Sequence, residues 1–203
     1  MHFPRPVGTC QRRKHRKRSQ DPPIHKSISV YRVSLVKDES VSFGNVRLAN
    51  SQEAQALIQN LILTKGQTDR EQFVMALLNA KNEMIGLNIV SVGALSSAPV
   101  HPREVLKPAI LANSAAMILA HNHPSNDLEP SPDDIAITRK IIRAAEIVGI
   151  QVHEHLIINM DDDRYYSFAD QGIIARMYAE LGLPCRITYL AGYTDQLYPP
   201  IWW

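Results

Sequence analysis

The chain has 203 residues, 45% of them hydrophobic and 21% charged, a length that suits one domain with tails and a composition that excludes a disordered or collagen-like chain. No apolar stretch approaches the roughly 18 residues of a membrane span, and charge stands where a signal peptide needs an apolar block, so a cytoplasmic protein with no membrane partner is expected. The net charge of +2 is uneven: residues 1–27 hold eight Lys and Arg against Asp21 alone, or +7, leaving −5 for the rest.

Residues 1–27, with Pro4, Pro6, Pro22 and Pro23 around the run Arg12 to Arg18, lack apolar periodicity and read as a disordered basic arm. Such an arm is either a solvated tail or a weak phosphate contact for DNA. Residues 28–50 read as a linker or leading strand, with alternation from Ile28 to Val36. Ser51 followed by Glu53 resembles an N-cap, and Ala54, Leu57, Ile58, Leu61 and Ile62 recur at helical spacing up to Gly66. Phe73 to Leu78 and Met84 to Val92 are apolar runs joined by a polar turn, the pattern of a β-hairpin.

Pro102 opens a helix through Val105, Leu106, Ile110 and Leu111, with a kink expected at Pro108. Met117 to Ala120 is a compact buried strand running into His121. After a polar loop, Ser131 and Pro132 open a helix with Ile135, Ile141, Ile142, Ala145 and Val148 on its inner side, stopped by Gly149. Strands follow at Ile150 to Ile158 and near Tyr165 to Phe168. The order is α/β, with helices covering a mixed sheet.

Two cysteines, Cys10 and Cys185, are too few for a disulfide framework or a four-sulfur metal site. Four of the eight histidines form two close pairs instead: His121 with His123, and His153 with His155. Residues two apart in an extended chain project to one side, so His121 and His123 can aim both imidazoles at one point. Asp134, in the first turn of the next helix, can reach back to complete a three-ligand site of the kind zinc accepts while keeping a fourth position for water. Ser131 also has a plain reading as a helix cap. His153 and His155 lie in an apolar strand with no third ligand nearby and read as core or supporting histidines; His101 reads as a helix-start residue, and Tyr165 and Tyr166 as strand packing.

The spacing His-X-His, seven residues, Ser, two residues, Asp resembles the JAMM (MPN+) metalloprotease signature, filled by His121, His123, Ser131 and Asp134. Among its branches the chain is most similar to the RadC-type JAB proteins, through Pro102-Arg103-Glu104, His121 to Ser125, and Glu154 to Ile158. The resemblance spans residues 51–171 and leaves 172–203 as a C-terminal tail. It implies a single MPN/JAB-like, cytidine-deaminase-like α/β (α+β) domain. It further implies Zn2+ on His121, His123 and Asp134, with Glu71 as general base, preferred over Glu104, and Ser131 as donor to the oxyanion of an amide, peptide or isopeptide substrate. Asn126 stands where the family has Gly, and Glu154 where it has Asp. Many RadC proteins carry a helical region ahead of this domain where only the basic arm stands here, which resembles the short forms found in mobile elements. Two other roles fit the resemblance: a DNA-repair or mobile-element accessory protein, and a metal-stabilised interaction module without turnover.

Overall fold

The structure is a computed structural model that describes residues 32, 34–38, 48, 50–93 and 100–185. All of these except Arg32 belong to the unit Ser34–Trp203. The expected basic arm and residues 186–203 lie outside the described residues. Of the strand expected at Ile28–Val36, the described positions are Arg32 and Ser34 to Val36, which are exposed and in no regular element.

The apolar runs form a five-stranded mixed sheet. Its strands are β1 (Gln72–Leu78), β2 (Met84–Val92), β3 (Ala116–Asn122), β4 (Gln151–Ile158) and β5 (Tyr165–Ser167), in the order β2-β1-β3-β4-β5. Only β3 and β4 pair in parallel; the other neighbours are antiparallel. Every residue of β1 and β3 is buried, which explains why these strands read as unbroken apolar runs: both faces of the sheet are covered.

Helix α1 (Ser51–Lys65) covers one face, packing Ala54, Leu57, Ile58, Leu61 and Ile62 against Val74, Ala76, Leu78, Ile118 and Leu156. On the other face lie α2 (Pro102–Leu111), α3 (Pro132–Ile147) and α4 (Ile173–Glu180), around Phe73, Met75, Leu77, Met117 and Leu119. Helix α3 supplies the crossover that the parallel β3–β4 pair requires.

Helix α2 has the expected extent, Pro102–Leu111, with Pro108 inside it and Val105 and Ala109 buried. Two details differ from the sequence expectation. The cap of α1 is Asn50, whose side chain accepts from Glu53 N at 2.8 Å, because Ser51 instead donates to the buried Glu154 carboxylate at 2.7 Å. Helix α4, within the segment left as a tail, buries Ile173, Ile174, Met177 and Tyr178.

Two glycines carry the expected stops for different reasons. Gly149 takes φ 73° after α3, and the bonds from Ile150 N to Ala145 O and from Gly149 N to Glu146 O close the helix end. Gly66 is needed for space: a Cβ there would lie 2.4 Å from the Gln72 side chain and 2.7 Å from Ile62 O. No helix among the described residues is long and apolar enough to cross a membrane.

Candidate metal centre

Strand β3 delivers His121 to the face that carries α3, because Met117, Leu119 and His121 alternate onto that side. The side chain of the intervening Asn122 brackets Glu71: its Nδ2 donates to Arg70 O and its Oδ1 accepts from Gln72 N, both at 3.0 Å. Glu71 O also accepts from Gly93 N at 2.8 Å. The backbone at the start of β1 is thereby pinned beside the histidines.

Beyond β3 the chain turns at Asn126, which adopts φ 56° and donates its backbone N–H to His123 O at 2.9 Å. This left-handed conformation suits Gly or Asn, so Asn126 makes the turn for which glycine was the expected residue. Asn126 adds what glycine cannot: its Nδ2 donates to Asp161 Oδ2 at 2.5 Å and its Oδ1 accepts from Met160 N at 3.1 Å. The loop is tied to the β4–β5 connection.

Ser131 and Asp134 form a capping box at the start of α3. Ser131 Oγ accepts from Asp134 N at 3.1 Å, and Asp134 Oδ2 accepts from Ser131 N at 2.8 Å and from Ser131 Oγ at 2.6 Å. The cap reading and the ligand reading are compatible, since the capping box leaves Asp134 Oδ1 aimed at His121.

The three expected ligands converge, with ligating atoms within 4.8 Å of one another. His121 Nε2 lies 2.9 Å from His123 Nε2 and 3.2 Å from Asp134 Oδ1, and His123 Nε2 lies 3.6 Å from Asp134 Oδ2. His123 Nδ1 is 2.6 Å from Asp127 O, and a carbonyl can only accept, so Nδ1 holds a proton and Nε2 is the lone-pair nitrogen of the neutral ring. Lone pairs and a carboxylate aimed at one point call for a cation between them, so the group is able to hold a metal ion.

The electrostatics agree. Burial raises the Asp134 carboxyl, but its close contacts with His121 and His123 and the hydrogen bond from Ser131 outweigh it and hold the group well below the usual carboxylate range. His123 is raised by the neighbouring Asp134 against burial, with smaller support from Asp127 O and the Glu71 charge. Glu104 is on the exposed surface of α2, paired with Lys107 and with Arg103, and no described contact joins it to the site.

The second histidine pair is split. Between β3 and β4 the register shifts, Met117 facing Val152 and Ile118 facing Glu154, so His153 is the extra residue. His153 Nε2 meets Asn82 Oδ1 at 3.1 Å. His155, fully buried, lies on the metal face with its Nε2 2.9 Å from His121 Nδ1 and its Nδ1 2.6 Å from Thr138 Oγ1. Phe73 stacks over His121 and meets His155 edge-on, with Phe168 on the other side of His155. His101 caps α2, accepting from Arg103 N.

Asn122, Thr138 and Phe73 were not singled out in the sequence. For Asn122 the available signal was its place between two candidate ligands; for Thr138 it was the four-residue step from Asp134 along one helix face.

A family model described as RadC-like JAB domain matches residues 48–173. The UPF0758 protein of Rubrobacter xylanophilus is 49% identical over 106 residues, which are 52% of this chain and 45% of that protein. The UPF0758 protein of Methanosarcina acetivorans is 42% identical over 105 residues, again 52% and 45%. The UPF0758 protein YfjY of Escherichia coli is 37% identical over 152 residues, covering 75% of this chain and 92% of that protein. The chain thus spans about half the length of the first of these relatives and nearly all of the last.

Proposed function

The chain belongs to the RadC-like JAB domain family, and from that premise we propose that it is a zinc-dependent hydrolase of peptide or isopeptide bonds. The observation that carries this reading is the donor set: two imidazole nitrogens and a carboxylate turned to one point. His121, His123 and Asp134 hold the ion in this reading. Zinc bonds of about 2.0–2.2 Å in a tetrahedron separate donor atoms by roughly 3.3 Å, and the separations of 2.9 Å between the two imidazole nitrogens and 3.2 Å from His121 Nε2 to Asp134 Oδ1 lie near that value. When bound, zinc supplies a Lewis acid that polarises a carbonyl and lowers the pKa of water toward about 7.

The chain's own groups do the rest. Glu71 accepts a proton from the attacking water as the new C–O bond forms, then returns it to the amine nitrogen as the C–N bond breaks. Asn122 fixes the Glu71 backbone from both sides. Ser131 offers its hydroxyl proton to the oxyanion; Asp134 Oδ2 keeps its bond to Ser131 N when that proton turns away. Phe73, stacked on His121, keeps water off the inner side of the ligands.

Protein purified without chelators is expected to carry about one zinc per chain by elemental analysis. Against a panel of unstructured peptides and isopeptide conjugates, Glu71→Gln is expected to keep zinc and lose about 100- to 10,000-fold in turnover, with Glu104→Gln nearly silent. No zinc after purification and no uptake on addition sinks the metal reading. Loss of turnover in Glu104→Gln with Glu71→Gln unaffected moves the base to Glu104. A second reading, a nucleic-acid accessory role, rests on the +7 charge of residues 1–27 and is tested through the salt dependence of DNA binding.

A further inference from the structure

Resting on the metal reading above, we propose that His155 and Thr138 are positioning residues: a one-way proton circuit through them fixes which nitrogen of His121 faces the metal position. The direction follows from one contact. Thr138 Oγ1 lies 2.5 Å from Asp134 O, and a carbonyl oxygen cannot donate, so the single hydroxyl proton of Thr138 is committed there. At 2.6 Å from His155 Nδ1, the same hydroxyl must then accept, which puts a proton on His155 Nδ1.

His155 has no exposure, and its two ring nitrogens meet only Thr138 and His121 with no carboxylate to balance a buried charge, so with Nδ1 protonated the ring is neutral and its Nε2 is an acceptor. The partner of that nitrogen, at 2.9 Å, is His121 Nδ1, which therefore donates. The neutral His121 ring is left with its lone pair on Nε2, the atom that faces His123 and Asp134. The circuit starts at the backbone of one ligand, Asp134, and ends on the side chain of another, His121, so the helix that supplies the carboxylate also sets the tautomer of the strand histidine.

The opposite polarity has every bond reversed. Thr138 would donate to His155 Nδ1, His155 Nε2 to His121 Nδ1, and His121 would carry its proton on Nε2, pointing at Asp134 and blocking a metal ion. That state leaves Thr138 Oγ1 and Asp134 O facing each other at 2.5 Å with no proton between them, which is what the contact excludes. Loss of the hydroxyl removes this selection. Without it His155 Nδ1–H has no acceptor, whereas His155 Nε2–H keeps His121 Nδ1, so the reversed, metal-blocking state takes over.

Two measurements test the circuit. Long-range proton–nitrogen NMR on metal-free wild type is expected to find His155 protonated on Nδ1 and His121 on Nδ1; a proton on His155 Nε2 overturns the proposal whether or not zinc binds. By chelator competition, Thr138→Val is expected to bind zinc about 10- to 100-fold more weakly, as supporting-residue changes do, while Thr138→Ser stays within about 2-fold of wild type. Zinc affinity of Thr138→Val equal to wild type also overturns it. Failure of wild type to bind zinc at all sinks the metal reading of the preceding section and leaves the NMR result to judge the circuit. If Thr138→Val does not fold, the wild-type NMR result and Thr138→Ser carry the decision.

Discussion

Both the hydroxyl and the backbone N–H of Ser131 donate to Asp134 Oδ2, at 2.6 and 2.8 Å, so deleting the hydroxyl does not release the carboxylate. Ser131→Ala is therefore expected to keep zinc near stoichiometric while His121→Ala and His123→Ala lose it. Its thermal stability is expected to fall by about 1 kcal/mol for the lost cap, and its turnover by about 100- to 1,000-fold if the hydroxyl proton serves the oxyanion. Elemental analysis and kinetics at saturating zinc check these together; zinc loss equal to that of His121→Ala would reduce Ser131 to a scaffold for the ligand helix. At this scale the convergence of His121, His123 and Asp134 was legible because two spacings, His-X-His and Ser-X-X-Asp, encode it within short local geometry. His155 was legible as a core or supporting histidine but its partner was not, and the contacts of Asn122 and Thr138 were not legible, since each depends on another element: Arg70 and Gln72 on β1 and its approach, His121 on β3 and His155 on β4.

Elements with one-sided or continuous apolar patterning emerged close to their expected bounds, the hairpin of β1 and β2 and the helix α3 above all. What patterning does not carry is register. The shift at His153 in β4 turns an apparent same-side pair into two unrelated residues, and it brings His155 onto the face of His121. The shift also leaves two neighbouring buried groups with opposite pH behaviour. Burial pushes the His153 imidazole down to about 4, so the unfolded chain takes up the proton first; this stability is complete above about pH 6.5 and drains away as pH falls toward 4. Burial pushes the Glu154 carboxyl up to about 7 in spite of four donors, Ser51, Ser167, His155 N and Ala169 N. Its contribution is complete below about pH 4.5 and is lost as pH rises through 7. Because the two oppose each other, His153 has to be isolated by difference. Urea titrations at pH 7.5 and pH 5 are expected to give wild type about 2 kcal/mol more acid-induced loss than His153→Gln; equal losses would mean that His153 already carries its proton in the folded state. Helix α4 was legible in principle, with Ile173, Ile174, Met177 and Tyr178 at helical spacing, but it is only eight residues long and lacks a side-chain cap at Gly172.

Over the whole molecule, the described core begins at Leu48 and draws on both faces of one sheet, and the charge runs the other way, +7 in residues 1–27 against −5 elsewhere. Sequence patterning separated these two regions because apolar periodicity and charge density are local properties. A substrate leaves no such local trace, since its binding surface is assembled from side chains far apart in the chain. The separation makes the arm testable on its own. Removing residues 1–27 takes away eight cations and none of the described core, so zinc content is expected to stay unchanged and the thermal midpoint to move by less than about 2 °C, a change worth under about 1 kcal/mol. If the arm contacts DNA, nonspecific binding weakens on its removal and the slope of log K against log salt shrinks by up to about 7, the value for eight phosphates neutralised on duplex DNA. Binding measured at several salt concentrations, with and without the arm, decides the matter. An unchanged slope places any DNA contact on the acidic body or rules it out, and a collapse of the thermal midpoint would mean that residues 1–27 pack as part of the fold.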